Sequence, residues 1–169
     1  SARNLYNTYV NFGNIVEDLV ADRKLIRAVA YVITSEAGDE ANFFEALHKV
    51  GIETKTKDLQ IFYGGAKKAD WDVGMAVDAI RMSGPLDVVI LVTGDGDFIP
   101  AVEYMQQGLG RVVEVAAFGR TTSSKLKESA DLFYDIEKMK GVLFRSHTGN
   151  GNSNGRRRAR SSTKKTTSE

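Results

Sequence analysis

Apolar positions in this chain change period at regular intervals. Residues 4–21 (NLYNTYVNFGNIVEDLVA) carry mixed apolar spacing, compatible with a helix or a helix plus turn, although Gly13 argues against one unbroken helix. Residues 27–34 (RAVAYVIT) form a short apolar run with β-branched members, bounded by charged and turn residues, which predicts a buried strand. The helical period returns over 38–51 (GDEANFFEALHKVG), with Phe43, Phe44, Leu47 and Val50 on one side, Asp39 as N-cap and Gly51 as the stop.

The alternation then repeats. Residues 52–64 predict a strand or hairpin, and 70–84 (DWDVGMAVDAIRMSG) a helix with Val73, Ala76, Val77 and Ile80 on its apolar side, ended by Gly84 and Pro85. DVVILVTG (87–94) is the plainest buried strand in the chain, and 98–110 reads as a helix closed by Gly108 and Gly110. RVVEVAAFG (111–119) predicts another strand, 123–133 a helix capped by Ser123 or Ser124, and 132–137 a last strand. Strands alternating with helices of these lengths imply an α/β fold with a mostly parallel sheet and helices on both faces.

Composition narrows this picture. A chain of 169 residues with 42% hydrophobic content suits one sizeable core. It lacks an apolar run long enough to cross a bilayer and a charged-then-apolar leader, and it has no cysteine for disulfides or thiolate metal sites, which makes the cytoplasm the expected compartment. Charge divides it further. From Arg145 to Glu169 seven basic residues (Arg145, Arg156, Arg157, Arg158, Arg160, Lys164, Lys165) face Glu169 alone, a net of +6, so with +1 overall the first 144 residues carry −5. The expected organisation is a globular domain over 1–144 and a disordered basic tail over 145–169, serving as a solubilising or address segment or as a polyanion-binding arm.

Asp95 and Asp97 stand at the end of the best strand, separated by Gly96. Ligands of open parallel sheets bind at the carboxyl ends of the strands, and glycines at 94 and 96 would let the backbone turn sharply there. Asp97 could be the cap of the helix starting at Phe98, with Pro100 tolerated in its first turn, but that leaves Asp95 without a task. Two neighbouring carboxylates repel unless a positive charge lies between them, and a hard divalent cation such as Mg²⁺ accepts oxygen ligands and retains waters. Asp72, at the start of a helix after a Gly-Gly loop, is the better third ligand; Asp78 is turned off its face and suits a pair with Arg81 or Arg3, and Asp70 an N-cap.

ARNLYNTY, KKADWDVGMAVDAI, DVVILVTGDGDFIPAVE, VVEVAAFG and LKESADLFYDI follow the order and spacing of the NYN domain family, and over residues 1 to about 140 the chain resembles its LabA-like branch. The resemblance implies a Rossmann-like (PIN-like) three-layer sandwich. It further implies a metal-dependent ribonuclease in which Asp72, Asp95 and Asp97 hold Mg²⁺ or Mn²⁺ and Asn4 orders the site. The family begins with an apolar strand ending in Asp-x-x-Asn, which puts an aspartate where this chain has Ser1. The first strand is accordingly expected to be missing from this chain and the site weakened, since a hydroxyl is a poorer hard-cation ligand than a carboxylate.

Single-stranded RNA is the expected partner. Lys67, Lys68, Arg120, Lys125 and the tail arginines Arg156, Arg157 and Arg158 are the cations nearest in sequence to grip its backbone, although Lys67 and Lys68 equally suit a solvated loop. Tyr6, Tyr63 and Trp71 are either base-stacking or core aromatics. The main alternative is a non-catalytic RNA-binding or regulatory module of the LabA-like type, which leaves room for a homodimer and for regulatory protein partners. Haloacid-dehalogenase chemistry is disfavoured by Ile99 two places beyond Asp97, and no phosphate-loop or dinucleotide glycine motif occurs. His48 and His147 form no catalytic or zinc cluster.

Overall fold

Strand β7 (Val112–Ala117) is the centre around which the layers assemble. The computed structural model describes residues 9–34, 41–58, 60–61, 67–68 and 70–144. Within them β7 lies between β6 (Val88–Leu91) and β8 (Leu132–Asp135), parallel to both, with Val89 opposite Val113 and Val115 opposite Phe133. Val113 and Val115 point to one face and Glu114 and Ala116 to the other, and all four are buried. Removing each of the two valines from water stabilises the fold by about 1.5–3 kcal/mol.

Each face has its own helices. Val89, Leu91, Val113 and Val115 pack with Ala79 of α3 (Asp72–Met82), Phe98, Val102 of α4 (Ile99–Glu103), Met105, and Leu126 of α5 (Ser124–Ser129). On the opposite face Ala116 meets Ile15 and Leu19 of α1 (Phe12–Val20), with Ile136 and Val142. Helix, sheet and helix make the three-layer sandwich expected from the alternating pattern.

A second parallel ladder joins β2 (Val29–Thr34) to β3 (Glu53–Asp58) through α2 (Ala41–Lys49), which Gly51 ends in a left-handed conformation at φ 76°. Two short antiparallel pairs, β4 (Gln60–Ile61) with β5 (Lys67–Lys68) and β1 (Tyr9–Val10) with β9 (Leu143–Phe144), complete the strands. Among the described residues the β2–β3 and β6–β7–β8 ladders are separate. Asn4, the Asp39 cap and the tail lie outside the described residues.

Two expectations about helices change. Helix α1 starts at Phe12, where the Asn11 side chain accepts the Asn14 amide at 3.2 Å, and Gly13 is accommodated inside it. In α3 the buried side is Met75, Ala76, Ala79 and Ile80, while Val73 and Val77 are 74% and 47% exposed. The sequence pattern ran two adjacent helical stripes together, and the alanine-rich stripe is the one that fits closely against Phe98 and Val102.

Candidate functional site

From the end of β6 at Leu91, residues 92–95 lead into a single tight turn, Gly96–Phe98, that continues into α4 with Pro100 in its first turn. Asp95 has an extended backbone, and its Oδ1 accepts the Asp97 amide at 3.0 Å. Capping therefore belongs to Asp95 and not to Asp97, for which the sequence alone leaves it open, because the helical entry begins one turn earlier, at Gly96. Asp97 sits in that first turn, exposed, with no ion pair among the described residues.

The two glycines serve a different purpose from the one anticipated. Neither Gly94 nor Gly96 has a positive φ. What they allow is close approach of the loop after β7. A Cβ on Gly94 would lie 3.0 Å from Thr122 Oγ1 and 3.4 Å from Thr122 Cα, and one on Gly96 would lie 3.0 Å from Ser123 Oγ. The Ser123 amide donates to the Gly94 carbonyl at 3.1 Å, which ties the ends of β6 and β7 together.

Asp72 is the first residue of α3. Trp71 occupies the N-cap position without a side-chain cap bond, so Asp70 does not cap this helix. Trp71 is locked instead by its indole N–H, which donates to the Val32 carbonyl at 3.1 Å, and by the edge of Tyr31 at 5.3 Å. The half-buried ring is a packing element, which decides between the two roles open to it from sequence. Asp72 itself is held above the usual carboxylate range, first by partial loss of water and then by the charges of Asp95, Asp70 and Asp97. The acidic residues of two chain segments thus share one electrostatic neighbourhood.

Asp70, Asp72, Asp95 and Asp97 form no salt bridge among the described residues. Oxygen donors with uncompensated charge fit a hard divalent cation in kind, and Mg²⁺ takes one or two carboxylates while keeping waters. No three His, Asp or Glu side chains among the described residues converge closely enough to enclose an ion. Asp78, by contrast, is spent on structure. It accepts from Lys55 at 2.5 Å and from the Tyr31 hydroxyl at 3.0 Å, with Arg81 at 3.9 Å, and the Lys55 bond holds its carboxyl below the usual range.

Of the expected RNA-gripping residues, the side chains of Arg120 and Lys125 are described. Arg120 lies 3.4 Å from Glu137 beside an open cavity of about 710 Å³ that Lys127, Tyr134 and Lys138 also line, so its charge is matched there. Lys125 is exposed on α5. Lys67 and Lys68 form β5, and their side chains, with Asn4, Arg156, Arg157 and Arg158, lie outside what is described. Sequence reasoning missed Lys57, whose Nζ donates to the Asp70 carbonyl at 3.1 Å. The alternation in ETKTKD, which puts Lys55 and Lys57 on one face at the end of a strand, was the available signal.

A family model for the NYN domain matches residues 2–137. The chain belongs to the NYN domain family. NYN domains have a PIN-like nuclease fold, their members bind RNA, and they are generally dependent on divalent metal. The low amplitude and bright protein LabA of Synechococcus elongatus is 23% identical over 126 residues, covering 71% of this chain and 67% of that protein. A crystal structure of a protein of unknown function from Vibrio parahaemolyticus matches with a TM-score of 0.76 and 34% identity, over 85% of this NYN chain and 87% of the other. No helix among the described residues is long and apolar enough to cross a membrane.

Proposed function

We propose that this NYN domain is a metal-dependent ribonuclease acting on single-stranded RNA, with Asp72, Asp95 and Asp97 as its site carboxylates. The observation that carries the reading is placement: Asp72 opens α3, and Asp95 and Asp97 lie in the turn just past the carboxyl end of β6; the Asp72 carboxyl is held up first by partial loss of water and then by the charges of Asp95, Asp70 and Asp97. Mg²⁺ or Mn²⁺, when bound, supplies neutralisation of phosphate charge and a water of lowered pKa for hydrolysis that leaves a phosphate on one product. Asp97 and Asp72 would hold such an ion through carboxylate oxygens, and Asp95 through the oxygen that its cap does not use. The Thr122–Ser123 loop holds the glycine turn in place, and Asn4, outside the described residues, keeps the site-ordering role that the family resemblance implies. Basic groups must hold the RNA, because the carboxylates repel it.

A second reading, a non-catalytic RNA-binding module with regulatory partners, is favoured by the lack of three converging ligands among the described residues. Gel analysis of end-labelled single-stranded RNA separates the two. The assay compares the chain, its Asp97→Asn variant and a Ser1→Asp form, each in manganese and in excess chelator. Manganese-dependent cleavage, strongest in the Ser1→Asp form and lost in Asp97→Asn and in chelator, supports the nuclease. Intact RNA in every lane, or cleavage undiminished by chelator, overturns it.

A further inference from the structure

The face of β3 that carries Glu53, Lys55 and Lys57 shows a graded pattern of charge pairing. Glu53 is bidentate with Arg27 at 2.6 and 2.8 Å, and Lys55 is paired with Asp78 at 2.5 Å. Lys57, at the carboxyl end of the strand, has no carboxylate partner among the described residues. Its neighbour Asp58 accepts from the Thr34 hydroxyl at 2.8 Å, and the Lys57 ammonium rests on a neutral acceptor, the Asp70 carbonyl, 5.7 Å from the centroid of the Trp71 ring. A carbonyl and a ring face orient an ammonium without cancelling its charge, and two of its three donors remain for another acceptor.

Position gives this cation its meaning. Asp70 and Trp71 directly precede Asp72, so the segment that holds Lys57 also carries a carboxylate of the acidic cluster. Trp71 cannot drift, being fixed through Val32 and Tyr31. A polyanion repelled by Asp72, Asp95 and Asp97 needs a positive anchor within about one nucleotide of them, and a point-charge ammonium suits a phosphate oxygen. We infer that Lys57 is a phosphate-gripping, positioning residue, binding the RNA backbone beside the acidic cluster and setting which phosphate reaches it. The inference rests on the RNA-directed reading of that cluster.

The test is fluorescence anisotropy with a labelled single-stranded oligouridylate, titrated at several salt concentrations in chelator and again in calcium. The full chain is compared with Lys57→Gln, Lys57→Arg and the remote Lys140→Ala. Lys57→Gln keeps a donor for the Asp70 carbonyl while removing the charge, and unchanged melting temperatures confirm that all four fold. Lys57→Gln is expected to weaken binding about three- to tenfold and to lower the slope of log Kd against log salt by about 0.7, the loss of one single-strand phosphate contact. Lys57→Arg restores most of both, and Lys140→Ala changes neither. Binding by the parent chain with the same Kd and slope in Lys57→Gln, or an equal loss in Lys140→Ala, overturns the role of Lys57 and leaves the RNA reading standing. No binding by the parent chain in either condition removes the RNA reading and Lys57's role with it.

Discussion

Asp95 Oδ1 accepts the backbone amide of Asp97 at 3.0 Å, so of two aspartates two residues apart one is committed to the turn, and the side chain of the other has no ion pair among the described residues. The pair can be separated experimentally because cap and charge respond to different substitutions. Asp95→Ala removes the cap and is expected to cost about 1 kcal/mol in urea unfolding, whereas Asp95→Asn retains it, since asparagine caps as well as aspartate. Asp97→Ala is expected to stay within about 0.5 kcal/mol of the parent or to gain slightly from relief of repulsion. Manganese-dependent cleavage should disappear in all three. If Asp97→Ala proves as destabilising as Asp95→Ala, the division of labour between them is wrong.

Asp72 carries a stability cost set first by its partial loss of water and then by its acidic neighbours. Unfolded, it ionises in the ordinary carboxylate range; folded, it ionises at higher pH because of lost hydration and the charges of Asp95, Asp70 and Asp97. Below the unfolded pKa both states are protonated and nothing is lost. As pH rises through the folded pKa, the folded state must accept an unfavourable charge, so this contribution turns against folding and stays so at neutral pH. Asp72→Asn is therefore expected to melt slightly higher than the parent at pH 7, the effect being kept small by solvent screening of an exposed group, with the difference closing as pH falls below the usual aspartate range. Scanning fluorimetry across that range checks it. Manganese should raise the parent's melting temperature at pH 7 more than that of Asp72→Asn.

These residues also mark what the sequence disclosed and what it withheld. The alternation of strands and helices and the layers follow from periodicity, since β7 alternates faces and α4 and α5 carry apolar stripes that have nowhere else to pack. The positions of Asp72 at a helix start and of Asp95 and Asp97 just past a strand end were legible, and those are the places where a parallel sheet collects chemistry. The identity of the cap was not, because a one-turn shift in where a helix begins is invisible in residue type. The closeness of Thr122 to Gly94 is a long-range contact that no local pattern encodes. The same holds for Lys57, whose significance comes from Asp70 thirteen residues later. In α3, two adjacent stripes were both apolar enough to be the buried one, and only the partner surface decides between Val73 and Ala76.

Gly74 offers a test of that tertiary control. Within a helix, glycine to alanine normally stabilises by about 1 kcal/mol. Here a Cβ at position 74 would lie 2.8 Å from Cε3 of Trp71, a rigid ring already fixed by Val32 and Tyr31. Gly74→Ala is expected to destabilise by about 1–3 kcal/mol and to perturb tryptophan fluorescence, Trp71 being the only tryptophan. Gly84→Ala, where the added carbon meets nothing within 4 Å, should be close to neutral. A stabilised Gly74→Ala would mean that the ring yields and that Trp71 is not a fixed platform.

Glu114 sets the last prediction, because it places a carboxylate in the central strand with its side chain only 4% exposed. Arg23, just beyond α1, meets it with two hydrogen bonds at 2.8 and 2.9 Å and also donates to the Leu19 and Val20 carbonyls. The guanidinium thus satisfies a buried charge and the open end of a helix together, and the Glu114 bond pushes the Arg23 pKa up. Arg23→Ala strands the carboxylate and is expected to cost about 3 kcal/mol, toward the low end for a broken buried pair because Arg23 is itself one-third exposed. Adding Glu114→Gln to Arg23→Ala removes the stranded charge and should recover part of that loss, whereas two independent residues would give additive losses. Urea melts of the two single variants and the double variant decide the matter, and strict additivity would show that the pair is not coupled.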